Sequence, residues 1–137
     1  MLLQEAIIEK EFIRDRIDII MEVILEHGDE ILGSDLDTLK DLYDKYQLFC
    51  IAIDRAFHTT ELDYEGKKLT IADGVVLKNV LQIKIEDKKK LLIKIENKQK
   101  SLVHSNDVDL RKELNDLCTD YKILDMAIQR TSWIVEV

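Results

Sequence analysis

This chain has no proline, only four glycines and only two cysteines among its 137 residues. Without proline nothing forces a helix to break, and with so little glycine few positions turn freely. Cys50 and Cys118 are far apart in sequence, so the pattern carries neither a disulfide framework nor a ligand-spaced zinc or redox motif. Each lies in an apolar helical pattern and is expected to be a small core residue of a reduced, intracellular protein. Long apolar runs are missing as well. The opening MLLQEAIIEKEF is interrupted by Glu5, Glu9 and Lys10, so neither a signal peptide nor a membrane span is expected, and a soluble cytoplasmic protein follows. A basic excess is also absent. The formal net charge of −8 argues against a general nucleic-acid binder.

What is present is apolar and charged: 46% and 35% of residues, the composition of a helix-rich or coiled-coil chain. The length suits one helical domain over 1–137 with a real core. The charge is segregated. From Lys78 to Lys100 there are eight lysines against Glu86, Asp87 and Glu96, inside a chain that is acidic as a whole. This reads either as a solvated helix face or as a surface for an acidic face of another copy or for an anion.

Helical seams dominate the pattern. In 2–27, Ile13, Ile17, Ile20 and Ile24 recur in steps of four and three, and Phe12, Ile19, Met21, Val23 and Leu25 widen that stripe onto other sides. A helix so apolar needs more than one neighbour, which predicts a homo-oligomer with its interface on this first helix. Gly28 and the GSDLD segment end it, with Ser34 or Asp35 as the next N-cap. A second helix is predicted from about Asp35 to Phe57 on Leu39, Leu42, Tyr46, Phe49, Ile53 and Ala56. A third begins at Thr70, with Asp73 as its capping-box acid, and runs to about Val103, weakening around Lys88–Lys90. HSND, 104–107, is expected to turn the chain. The fourth helix has the cleanest seam: Leu110, Leu114, Leu117, Tyr121, Leu124, Ile128 and Thr131. The fold class is therefore all-α: long antiparallel helical hairpins, four-helix-bundle-like with coiled-coil seams, and a small loop or β-hairpin elbow at about 58–70.

The elbow lies in IAIDRAFHTTELDYEGKKLTIADG, residues 51–74. It gathers Arg55, His58, Thr59, Thr60, Tyr64, Lys67, Lys68 and Thr70. A guanidinium, hydroxyls, ammonium groups and the free N–H groups of a helix N-terminus are together the chemistry of an anion site. If the hairpins are antiparallel, Arg130 and Trp133 come near one end of the bundle, and the indole offers a stacking face to a base. The plainer alternative is that the threonines only cap and turn, Arg55 pairs with Asp54 or Glu61, and Trp133 plugs the core.

Two stretches resemble a family. Ile53-x-Arg55 … Thr60-x-Leu62 … Gly66 … Leu69-Thr70-x-Ala72, and Leu124-Asp125-x-x-Ile128-Gln129-x-x-x-Trp133, are similar to motifs of the septicolysin-like helical proteins, small bacterial and phage-encoded proteins of unassigned biochemistry. The resemblance covers most of the chain in helix order. The chain departs from the family at Asp54 and Phe57, at Val76 and Leu77, and in the short His104–Asp107 segment.

No nucleophile–base pairing, glycine-rich phosphate loop or metal-ligand spacing marks an enzyme, and no cofactor is expected. His58 with Asp54 is a lone i, i+4 acid–base pair. The leading expectation is a non-enzymatic, homo-oligomeric binder of a small anionic, nucleotide-like ligand, which in a phage setting is an anti-defence sponge for a host signalling nucleotide. The alternatives are a coiled-coil scaffold or protein-interaction module without such a ligand and, more weakly, a hydrolase acting on the nucleotide. Neither nucleic acid nor membrane is expected as a partner.

Overall fold

A computed structural model describes residues 1–28, 33–98 and 104–137. Four long helices are present: α1 (Leu3–His27), α2 (Gly33–Thr59), α3 (Ile71–Lys98) and α4 (His104–Ser132). Between α2 and α3 stands one antiparallel hairpin of β1 (Glu61–Tyr64) and β2 (Lys67–Thr70). The all-α class with a small hairpin elbow is what the periodicity predicts. The chain divides into two compact units, 1–60 with 131–137, and 61–130.

In the first unit, Glu5 Oε2 accepts the Leu2 N–H at 2.8 Å, satisfying a backbone donor at the start of α1. Gly28, at φ +52°, ends the helix in a conformation that glycine adopts most readily. The expected seam forms the core: Ile13, Ile17 and Ile24 pack with Leu39 and Leu42, and Ile20, Met21, Tyr46 and Phe49 close around them. α1 and α2 thus form a helical hairpin. After α4 the chain comes back to α1. Leu3 N–H donates to Val135 C=O at 2.8 Å and Val137 N–H to Met1 C=O at 2.9 Å, beside a β-bridge between Leu2 and Glu136.

The second unit is built on α3, α4 and the β-hairpin. Leu62 and Tyr64 are buried on alternate positions of β1, and Ile71, Leu81, Ile85 and Leu92 on α3 with Leu124 and Ile128 on α4 are buried as well. Gly74 lies where the hairpin meets α3. A Cβ placed there meets Leu62 Cδ2 at 3.4 Å and Ile128 Cδ1 at 3.5 Å. The turn has Glu65 at φ +51° and Gly66 at φ +75°, the two positive values of a tight two-residue hairpin turn. Lys78–Asp125 at 3.1 Å and Lys88–Glu113 at 2.9 Å, with the Arg111–Glu96 pair beyond them, link α3 to α4 in opposite sequence directions, as an antiparallel pair requires.

Three expectations change. HSND is not a turn: α4 already starts at His104, because serine, asparagine and aspartate suit a helix's first turn as well as a loop. α2 starts at Gly33, one residue before Ser34 and two before Asp35, the expected caps, and runs to Thr59, past the expected end at about Phe57. Cys118 is exposed and Cys50 only half-buried, since Cys118 lies beside the α4 seam rather than on it. The expected end of α3 near Val103 and most of the 28–34 connection fall outside the described residues.

Candidate functional site

At the end of α2 two of the elbow's side chains bond back to carbonyls one turn earlier, which the helix's own N–H groups also use. His58 Nδ1 lies 2.8 Å from Asp54 C=O, to which a protonated Nδ1 donates, and Thr59 Oγ1 donates to Arg55 C=O at 2.9 Å. Thr60 N–H donates to Ala56 C=O at 2.9 Å. His58 Nδ1 is also 3.5 Å from Asp54 Oδ1, so the i, i+4 pair forms on an exposed face with its ring already engaged by the backbone. Arg55 shares that face. Among the described residues it makes no ion pair with Asp54 or Glu61.

Across the elbow, Thr70 Oγ1 accepts the Asp73 N–H at 3.1 Å, the hydroxyl's half of the expected capping box. The two lysines before it do not point the same way. Side chains alternate along a strand. Register pairs Lys67 with Tyr64 on the face that carries Leu62, and Lys68 with Asp63 on the opposite face. Both lysines are exposed and without an ion pair among the described residues. Tyr64 is buried, and burial first, then the carboxylates of Glu65 and Asp120, push its hydroxyl above the ordinary tyrosine pKa.

Arg55, His58, Thr59, Thr60 and Trp133 thus belong to the first unit, and Tyr64, Lys67, Lys68, Thr70 and Arg130 to the second. Arg130 is exposed in the last turn of α4, and Trp133, just beyond that helix, is 49% exposed. Within its own unit each set is a helix end or a hairpin. Among the described residues, no three His, Cys, Asp or Glu side chains are arranged to hold a metal ion, and no helix is long and apolar enough to cross a membrane.

One feature was not singled out from sequence. A groove of about 640 Å³ runs between α3 and α4, lined by Lys84, Asp87, Lys88 and Leu91 on one side and by Glu113, Asp116, Leu117 and Asp120 on the other. Its signal is present in the chain: acids at i, i+3 and i+7 on α4 opposite lysines at i and i+4 on α3.

No family model matches this chain, and neither does any curated protein or solved structure.

Proposed function

We infer that this chain is a non-enzymatic helical protein that works by associating with further copies of itself. The observation that carries this reading is the second apolar face of α1. Ile8, Phe12, Ile19 and Val23 are 48%, 64%, 59% and 39% exposed. At 100° per residue they fall within an arc of about 60°, roughly 130° away from the buried Ile13, Ile17 and Ile24. Two apolar pairs on one side of the helix, Ile8 with Phe12 and Ile19 with Val23, separated by the turn of Asp15 and Arg16 and together about 23 Å long, are characteristic of an interaction surface rather than of a monomer's solvated side. The elbow supports the same reading from the other direction, since His58 and Thr59 are bonded back onto carbonyls of α2 and Thr70 caps α3.

Light scattering tests it. The wild type is expected well above the 16.0 kDa of one chain, and Phe12→Glu with Ile19→Glu to lower the measured mass clearly with helicity retained. A wild type at 16.0 kDa across micromolar concentrations sinks the proposal.

A second reading keeps a small anionic, nucleotide-like ligand at the elbow. It is favoured by the exposed guanidinium of Arg55, which has no ion-pair partner among the described residues. Arg55→Ala then abolishes nucleotide binding by calorimetry with little change in melting temperature. Silence of the wild type across cyclic and linear nucleotides removes this reading.

A further inference from the structure

We propose that the groove between α3 and α4 receives α3 of a second copy, in a two-fold contact that is electrostatic as well as apolar; this rests on the self-association reading but on a different surface from α1. On α3, Val76, Val80, Ile83 and Leu91 are exposed at 62%, 39%, 57% and 47%. They form one stripe at helical spacing, and Lys90 and Lys94 lie on the same face. That stripe runs directly into the groove, which Leu91 itself lines.

Charge selects the occupant. The segment 113–120 of α4 presents Glu113, Asp116 and Asp120 to the groove and contains no basic residue. Only Glu113 is ion-paired, with Lys88; Asp116 and Asp120 have no ion pair among the described residues. The segment 84–94 of α3 carries five lysines against Glu86 and Asp87, and on the ridge face Lys90 and Lys94 are exposed without an ion pair, with Asp87 the acid on that face. One unit therefore holds both an α4 wall on which acids outnumber bases and an apolar ridge on which Lys90 and Lys94 outnumber Asp87. The surface complementary to it is itself, as an isologous contact requires. α1 of a second copy is excluded as occupant by its charge, because seven acids outnumber its three Lys and Arg residues. The ridge from Val76 to Lys94 is about 27 Å long, so the contact is small and belongs to the weak, reversible class.

The test is a charge exchange in full-length protein already carrying Phe12→Glu and Ile19→Glu, so that the α1 stripe does not contribute. Sedimentation at about 50 mM salt is expected to show a reversible dimer of this background, weakened at about 500 mM. Lys90→Glu with Lys94→Glu makes both halves of the two-fold contact acid on acid. Asp116→Lys with Asp120→Lys makes both halves base on base. Each variant alone associates about tenfold more weakly, while their equimolar mixture, in which both halves are complementary again, returns to the background affinity. Circular dichroism verifies the helices, and the exposed Asp116→Lys alone serves if the double variant does not fold. A mixture no tighter than its components, or a background monomeric at every concentration, overturns the proposal and leaves the groove to another kind of molecule. Failure of the α1 reading is read separately, as an unchanged mass for Phe12→Glu, Ile19→Glu against wild type.

Discussion

Gly74 sits inside α3 where the β-hairpin meets it, and substitution there has a sign that the structure decides. Glycine in a helix interior costs about 1 kcal/mol relative to alanine. An added methyl lands 3.4 Å from Leu62 Cδ2 and 3.5 and 3.6 Å from Ile128 Cδ1 and Cγ1, at ordinary van der Waals distance. Gly74→Ala therefore fills space without displacing either neighbour. It gains most of the helix propensity and part of the ~0.8 kcal/mol of a buried methyl group. A net stabilisation of about 1 kcal/mol is expected, a rise of roughly 4 °C in Tm for a chain of this size. Gly74→Val has two further methyl groups to place against the same two side chains, and overpacking costs about 1–3 kcal/mol. Urea unfolding of the two variants beside wild type reads both, with the m-value showing whether the transition is unchanged in kind. Opposite shifts in midpoint are expected. If alanine destabilises by more than 1 kcal/mol, or valine is neutral, Leu62 is not seated on this turn of α3 and the account of the elbow is wrong.

Glu65 occupies the first central position of the hairpin turn at φ +51°, where a side chain is strained. Glu65→Asn, which tolerates that conformation, is expected to raise stability by about 0.5–1 kcal/mol in the same unfolding assay, whereas a loss argues that the Glu65 carboxylate has a stabilising contact of its own. Tyr64 has a hydroxyl pKa raised in the folded state by burial and by the carboxylates of Glu65 and Asp120. Its contribution to stability is then fully present below the unfolded tyrosine pKa near 10 and is lost as pH rises through the folded value. Tyrosinate absorbance should show one late-titrating group that is missing in Tyr64→Phe, and alkaline unfolding should be less steep in that variant. A wild-type curve whose excess over Tyr64→Phe titrates with the other tyrosines, and not later, would contradict the burial of this ring.

The helices were legible because their signals are local. Ile13, Ile17 and Ile24 repeat at helical spacing over about three turns, and the same three residues line the core of the first unit. Glu65-Gly66 between short alternating stretches marked the hairpin, and Thr70 three residues before Asp73 marked the start of α3. Where one residue type serves two structures, the reading failed. Ser105, Asn106 and Asp107 favour both loops and first helical turns, and only the packing of the chain chooses between them. The pairing of Leu2 with Glu136 was not legible at all, since it joins backbone groups more than a hundred residues apart and requires no particular side chain. At the elbow, sequence adjacency of Lys67 and Lys68 suggested one cationic cluster. A strand's two-residue period assigns them to opposite faces. The polar groups at 54–60 were likewise visible as a concentration of donors, but whether they served a ligand or the end of α2 depended on geometry. His58 and Thr59 bond to helix carbonyls.

The lysines of α3 pose the remaining physical question. Lys84 with Lys88, and Lys90 with Lys94, are like-charge i, i+4 pairs, each destabilising an isolated helix by a few tenths of a kcal/mol. α4 relieves part of this: Asp125 holds Lys78 and Glu113 holds Lys88, with the Lys78 side chain 25% and the Lys88 side chain 31% exposed. Those pairs lie on the side of α3 that already faces α4. Lys90 and Lys94 have no such neighbour among the described residues, and they share their face with Val76, Val80 and Ile83, which water also penalises. A face that combines an excess of positive charge, Lys90 and Lys94 against Asp87, with exposed branched aliphatics is costly in two independent ways, and a single acidic, partly apolar surface would relieve both. Asp116, Asp120, Leu117 and Leu91 supply that surface in every copy of the chain. The physical argument for association through the second unit therefore does not depend on the α1 stripe, and it makes a different demand on solution conditions: raised salt weakens the α3 contact and leaves the purely apolar α1 contact intact or stronger.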